Sequence, residues 1–561
     1  MGIPQSTLAA SFLKRRALPS LLALITGWAT ASALAATYYV ATNGNDAATG
    51  AFATPFRTIQ KAASVMVAGD TGYIRGGTYR ETVTPANSGT AGSRITYAAY
   101  NNETVIISGL DPVTNSWSLD TGSIYKVSGI NPGLAANQGN QVFFNGQFAY
   151  EARWPNNVGT PGNSNNFTYA TVARSEGGNV IPAAVGNTLM LQDSRLPFPN
   201  DADLNGATIW CGRNVNFYNN IVAKVNSYSA ATREIFFTDD GGNSPPVANS
   251  MYIIWGARAL LDTTNEWWYD SGSQQLYVWM PDGMMPANGV VEYKTRIFAF
   301  DLNNRNYITI SNLTTWACGI WGPNTANPTP TSSGIRLLSL RGLYPQSSVG
   351  RSGYYLTGNS NEVIGCEFAY GPARLLEVRG NDCRVINNYL HDGCQYYTTA
   401  LLFTKGKRLI VSHNTLCDGA NQLVNPHITS GVFQYNHLYR GMWHCKDEGL
   451  SYINYTDGQG SLMHHNVLHD NLCQLRTDQA HGFYQDGGVS DFIYYRNLIY
   501  DIPAGNAFFF GTIFNTLIYN NTLFQAKNHV LPYGLNPPSS ASSGLFANNV
   551  APLLPVAAPG A

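Results

Sequence analysis

One short pattern repeats through the second half of the chain. An apolar-x-apolar triplet is followed by polar residues and then by Asn-x-aliphatic. It recurs as Ile308-Thr-Ile-Ser-Asn312-Leu, Val385-Ile-Asn-Asn388-Tyr-Leu, Leu409-Ile-Val-Ser-His-Asn414-Thr-Leu, and again ending at Asn436, Asn466, Asn497, Asn521 and Asn548. From Asn388 onward the intervals are 26, 22, 30, 31, 24 and 27 residues. Alternation with period two is the mark of a half-buried strand. A recurrence of about 27 residues predicts a solenoid whose coils each hold three short strands and three turns. Inward aliphatics of successive coils would stack into one continuous core. The recurring Asn fits an internal ladder at a turn, where its amide satisfies backbone groups and tolerates left-handed geometry. The shorter period and Leu-x-x-Leu-x-Leu frame of a leucine-rich horseshoe are absent.

The first half is organised differently. Thr37–Val40, Tyr73-Ile74, Ile95–Tyr97 and Val105–Ile107 read as short strands between tight turns. Phe56, Ile59, Ala63 and Val67 have helical spacing and predict a capping helix. Residues 131–300 do not repeat. Their short apolar runs (Val142–Phe144, Thr208–Trp210, Ile235–Phe237, Tyr252–Ile254, Leu276–Trp279) predict an inserted β-rich subdomain. The division expected is a leader at 1–35, cap and first coils at 36–130, the insertion at 131–300, the main solenoid at 301–550 and a Pro/Ala tail at 551–561. The leader is an export signal: Lys14, Arg15 and Arg16, then an apolar run from Ala17 to about Trp28, then Ala33-Leu34-Ala35 as a cleavage site. That run is shorter than the roughly 20 residues a membrane span needs. A secreted or periplasmic protein, free of the membrane once cleaved and monomeric, is the expectation.

Composition narrows the function. The chain has 561 residues, only 12% of them charged, with 33 Lys and Arg against 34 Asp and Glu. A nucleic-acid binder working through a general basic field is excluded. So is a disordered chain, because 44% of residues are hydrophobic. Aromatics at 12% suit a sugar binder and equally a β-rich core. Of the eight cysteines none forms a CxxC pair, and Cys417, Cys445 and Cys473 lie 28 apart each time; stacked buried thiols are favoured over disulfides.

The opening Thr37-Tyr-Tyr-Val-Ala-Thr-Asn-Gly-Asn-Asp46, with Pro55-Phe56, Thr58-Ile-Gln-Lys-Ala62 and Arg75-Gly-Gly-Thr-Tyr79, resembles that of carbohydrate-active right-handed parallel β-helix proteins. Phe143-Phe-Asn-Gly146, Ala152-Arg-Trp-Pro-Asn156, Leu260-Leu-Asp262 and Glu266-Trp-Trp-Tyr-Asp270 are similar to the inserted subdomain of glycoside hydrolases resembling family 141, which contains fucosidases and xylanases. Lys446-Asp-Glu-Gly449 through Tyr452 is similar to that family's Asp-x-Gly-Ala-Ile-Tyr segment, and His481-Gly-Phe-Tyr-Gln-Asp486 to its Gly-Ile-Tyr-Leu-Asp segment. The resemblance implies an all-β, right-handed parallel β-helix with an inserted subdomain, and puts the family's two carboxylates on Asp447 and Asp486. Leu450-Ser451, Phe483 and Gln485 depart from the pattern.

Glycoside hydrolysis uses two carboxyls flanking the bond, one as acid and the other as base or nucleophile. Counting back from the ladder, Asp418 lies 18 residues before Asn436, and Asp447 and Asp478 lie 19 before Asn466 and Asn497, which predicts an acidic column. Asp486 lies only 11 before its Asn, so register and resemblance disagree over the partner of Asp447. For a single Asp after a strand the commoner role is a turn that bonds its own backbone. Glu448 and His481 complete the candidate catalytic set of Asp447, Asp486, Asp478, Glu448 and His481. Trp443, Lys446, Tyr452, Arg476 and Tyr484 are candidates for holding substrate. Seven of the ten histidines fall between His427 and His481, but adjacent His464 and His465 point to opposite faces of a strand and no metal-ligand spacing appears, so no metal or cofactor is expected. The leading expectation is a secreted hydrolase acting on a plant or algal polysaccharide or oligosaccharide. The alternative is a lyase or epimerase acting on uronate chains, with Lys446 or Arg476 as base and Ca²⁺ for charge neutralisation. A non-catalytic sugar-binding solenoid is the third.

Overall fold

The computed structural model describes residues 35–132, 141–156, 172–181, 187–213, 220–238, 245–322, 332–345, 352–394, 400–443, 447–473, 479–511, 513–532 and 544–551. The expected leader, except Ala35, and the expected Pro/Ala tail, except Ala551, lie outside them, as do Lys446, Arg476 and Asp478. Among the described residues no helix is long and apolar enough to cross a membrane.

The chain from residue 35 onward winds as a right-handed parallel β-helix of about 15 turns. Each coil contributes one short strand to each of three faces. The first face runs through Thr37–Val40, Thr71–Ile74 and Ile95–Ala99, then Ile308–Ser311, Arg336–Leu338 and onward to Gly544–Ala547. The apolar position of every strand points inward. Ile310, Leu337, Val363, Val385, Val411, Phe433 and Met463 are all buried in one cluster, which is the driving force for the winding.

Coil continuity survives the insertion. Ile308 registers with Ile95, and Thr314 with Ile106, although more than two hundred residues separate the partners. Antiparallel strands of the insertion run from Leu110–Pro112 to Val291–Lys294. This corrects the expected start at 131: Leu110–Pro112 and Ile124–Ser128 already pair within the insertion. Phe143 and Phe148 of the insertion pack with Leu343, Tyr344 and Ala369, fastening it to the third face of the helix, which carries Thr314–Trp316, Arg341–Leu343, Glu367–Gly371, Thr415–Gly419 and His437–Gly441.

The asparagine ladder is present. Oδ1 of Asn414 accepts from the backbone N–H and the amide of Asn388 at 3.0 and 2.9 Å. The same pair of bonds links Asn414 to Asn436, Asn436 to Asn466, Asn466 to Asn497 and Asn497 to Asn521. Two members differ from the expectation. The ladder ends on Asn549, not Asn548, and Asn312 stands one place before it. Asn312, Asn387, Asn520 and Asn548 form the left-handed column beside the ladder, with φ of 55°, 56°, 53° and 52°. The turn therefore divides two tasks between neighbours: one residue takes the positive φ and the next satisfies the backbone.

The capping helix, α1, spans Ile59–Val65, shorter than Phe56–Val67. Thr58 Oγ1 accepts from Lys61 N at 3.1 Å and Asp46 takes the N–H groups of Arg57 and Thr58, so the helix starts at 59. Phe56 instead bridges to Val40, and Val67 N donates to Asp70. The described cysteines, Cys211, Cys318, Cys366, Cys383, Cys394, Cys417 and Cys473, are buried free thiols. Cys417 registers with His391 and Tyr439, so the 28-residue spacing does not stack it on another cysteine.

Candidate functional site

The second face carries the site. Its relevant strands are β1 (Leu376–Arg379), β2 (Leu402–Lys407), β3 (Val424–Thr429), β4 (Glu448–Ile453), β5 (Ala480–Gln485) and β6 (Leu498–Phe510). Register across them is parallel: Glu377 with Phe403, Phe403 with Asn425, Tyr452 with Tyr484, and Tyr484 with Phe509. Val424 pairs with Ser451, which sets Asn425 beside Tyr452. Inward neighbours Val424, Phe483 and Phe508 lie in the core. The alternation that buries these residues puts Phe403, Asn425, Tyr452 and Tyr484 in one outward column.

Asp447 and Asp486 meet this column from opposite ends. Asp447 immediately precedes β4 in a left-handed conformation, φ 61°, and its Oδ1 accepts from the Tyr484 hydroxyl at 3.2 Å. Asp486 immediately follows β5. Its Oδ2 accepts from the Tyr452 hydroxyl at 2.7 Å and its Oδ1 from the Gly487 N–H at 2.7 Å. The two rings meet edge to face with centroids 5.2 Å apart. Each carboxylate thus holds a hydroxyl donor from the adjacent strand, and the two donors touch. Burial and then the charges of Asp447 and Asp486 raise the Tyr484 hydroxyl above its ordinary range. Burial, Asp486 and Glu448 do the same to Tyr452. Both phenols stay protonated at neutral pH and act as donors.

The other candidates divide. Glu448 is buried one residue after Asp447, within reach of Tyr452 electrostatically. His481, a candidate for the catalytic set, is fully buried, which leaves it no exposed surface of its own. Its ring lies flat on Phe509, centroids 4.2 Å apart, and edge-on to Tyr484. Asn506 N–H donates to its Nδ1 at 3.1 Å, and burial depresses its pKa to about 3. It is a neutral ring that props Tyr484. Trp443 is half-buried at the end of the preceding coil. Lys446, Arg476 and Asp478 lie outside the described residues.

Among the described residues, Asp418 and Asp447 do not share the expected acidic column. Cys417 registers with Tyr439, so Asp418 falls beside Arg440 on the third face, and the two make a bidentate pair at 2.7 and 2.5 Å. Equal counts to the ladder mislead here because loops of different length leave the coil at different corners. In exchange, several residues appear that no motif marked. Asn454 donates to the Tyr452 hydroxyl at 3.4 Å. Tyr455 is 82% exposed and lies against Gly488, beside Asp486. Asn425 donates to the Tyr452 carbonyl at 3.1 Å. Only their place in the coil register identifies them. No group of three His, Cys, Asp or Glu side chains suited to a metal ion occurs among the described residues.

Residues 38–167 match the family model of the Pel9A-like right-handed β-helix region. Over 71 residues, 13% of this chain, the sequence is 48% identical to the uncharacterized protein YwoF of Bacillus subtilis. Over 78 residues, 14% of this chain, it is 44% identical to pectate lyase PEL9 of Emericella nidulans. These matches span 15% and 19% of those two proteins. A solved glycoside hydrolase is similar with a TM-score of 0.64 at 14% identity, over 92% of this chain and 97% of that one. This likeness is one of fold.

Proposed function

We propose that this protein is an exported glycoside hydrolase acting on a plant or algal glycan, with Asp447 and Asp486 as its catalytic pair. The observation that carries the reading is the shared tyrosine pair: two carboxylates, 39 positions apart in the chain, each bonded to one of two touching phenols on an outward face. One carboxyl serves as acid to the leaving oxygen and the other as base or nucleophile at the anomeric carbon. Tyr452 and Tyr484 orient them and, as fixed donors, stabilise the charge that develops on them. The exposed Tyr455 ring offers a sugar-stacking surface next to Asp486. The likeness to family 141 supports this assignment through the Asp447 and Asp486 segments. The test is a polysaccharide panel with the wild type, Asp447→Asn and Asp486→Asn. New reducing ends from the wild type and from neither folded variant support the pair; undiminished hydrolysis by both variants removes it.

The Pel9A-like match of residues 38–167 favours β-elimination as a second reading. A Ca²⁺ in that reaction would take clustered carboxylates, and the described residues present no such cluster. An unsaturated product absorbing in the ultraviolet would select elimination over hydrolysis.

A further inference from the structure

Two to three coils from the tyrosine pair, the same face turns electropositive. Glu377, on β1, is buried, with 4% of its surface exposed. Its carboxylate takes Arg374, Arg379 and the Ser352 hydroxyl. Burial raises its pKa, but the two guanidiniums outweigh burial and hold it low. The same guanidiniums stand against the Phe403 ring, 4.5 and 4.7 Å from its centroid. Lys405, on β2, registers with Arg379 and is exposed. Two guanidiniums therefore hold one carboxylate, and a third cation, Lys405, stands beside Arg379 one coil on, in a chain whose net charge is −1. His427 registers with Lys405 and reports the local field. Burial first, then Lys405, Arg379 and Arg374, depress it to about 4.

The cations lie in line with the proposed catalytic face. The positions run Arg379, Lys405, His427, Asn454, Asp486 on successive coils. At roughly 4.8 Å per coil, Lys405 stands about 14 Å from the level of Asp486. Phe403, Asn425 and Tyr452 fill the parallel column between them. Glu377 fixes the guanidiniums in place, which lowers the ordering cost of binding an anion. Arginine presents paired donors suited to a carboxylate or sulfate. A cluster built only for stability would satisfy Glu377 with its two arginines and would leave no reason for a third cation on the open side.

We propose that Arg379 and Lys405 form a subsite for an anionic group, a carboxylate or a sulfate ester, carried by the glycan about three coil steps from the Asp447–Asp486 pair. The proposal rests on the reading of this face as glycan-binding. It sets the chain of sugars along the helix axis, with its acidic substituent remote from the bond that is cut.

Affinity electrophoresis at physiological salt tests it independently of turnover. The gels carry polygalacturonate, the same polymer fully methyl-esterified, a sulfated galactan, or a neutral galactan. The Asp447→Asn background keeps the polymer intact. One charged polymer should retard the protein about tenfold more strongly than its neutral counterpart, as expected for loss of charge-assisted bonds; which one does so identifies the anion. Lys405→Glu should abolish the difference and Lys405→Arg should keep it. Lys405 is exposed, so both variants should fold. Equal retardation by charged and neutral polymers, or a difference that survives Lys405→Glu, overturns the proposal. A wild type that retards selectively yet yields no product from any polymer would remove the hydrolase reading and leave the subsite standing.

Discussion

Tyr484→Phe tests the tyrosine-carboxylate linkage with a single oxygen. The ring should stay in place, because it packs edge-on against Phe509 at 4.7 Å and His481 at 5.2 Å. What is lost is the 3.2 Å donor to Asp447. A hydrogen bond to a charged acceptor contributes about 1.5–3 kcal/mol. Asp447 is half-buried, so water compensates in part and the lower end applies. About 1.5 kcal/mol corresponds to roughly a tenfold loss of kcat/KM. The assay is reducing-end release from the best polysaccharide of a panel, with thermal unfolding of wild type and variant compared alongside. A Tm within a few degrees together with the tenfold loss supports the linkage. Wild-type kcat/KM in Tyr484→Phe would refute it, because a phenol that positions or stabilises a catalytic carboxylate cannot be removed without effect.

Tyr452→Phe should lose a comparable amount, since its hydroxyl bonds Asp486 at 2.7 Å, and kinetics on the same polymer check it. Asn466→Ala should cost about 3 kcal/mol in urea unfolding, because it strands buried donors and acceptors on both neighbouring coils, whereas Asn312→Gly, at φ 55° and off the ladder, should stay within about 0.5 kcal/mol. His481 has its pKa depressed to about 3 in the folded protein, so its stabilising contribution is present above the unfolded value near 6.5 and is lost as pH falls toward 3. His481→Gln should flatten that acid limb by up to about 1.4 kcal/mol per pH unit, measured by unfolding from pH 7 to 4. Glu266, raised to about 9 by burial and then by Asp262, is protonated at pH 7. Its contribution is present below pH 4.5 and falls as pH rises toward 9, so Glu266→Gln should gain on the wild type between pH 7 and 9 in the same measurement.

The solenoid was legible because its constraint is local and periodic. A buried Asn at each coil serves the backbone of the coil beside it, so Asn388, Asn414, Asn436, Asn466, Asn497 and Asn521 could be read directly. Asn312 and Asn548 misled because the left-handed place next to the ladder also favours Asn. The acidic column failed for another reason. Distance to the ladder is conserved only along one route round the coil, and the longer coils insert residues at other corners, so Asp418 met Arg440 on a different face. The ladder count and the resemblance both marked Asp447, but only the resemblance marked Asp486 and paired the two. Asn425, Asn454 and Tyr455 bear no motif, and Arg379 meets Lys405 only through the register of β1 and β2. His481 sits in a motif but is sealed beneath Phe509 and Tyr484, which no one-dimensional pattern separates from an exposed place.

The most direct test of the account is the crystal structure of the Asp486→Asn variant with the best-bound oligosaccharide of the panel. The account predicts sugar units following the coil axis over Tyr452 and Tyr484, with one glycosidic oxygen between positions 447 and 486. A ligand bound on another face, or one whose glycosidic bonds all lie beyond reach of both residues, would contradict it.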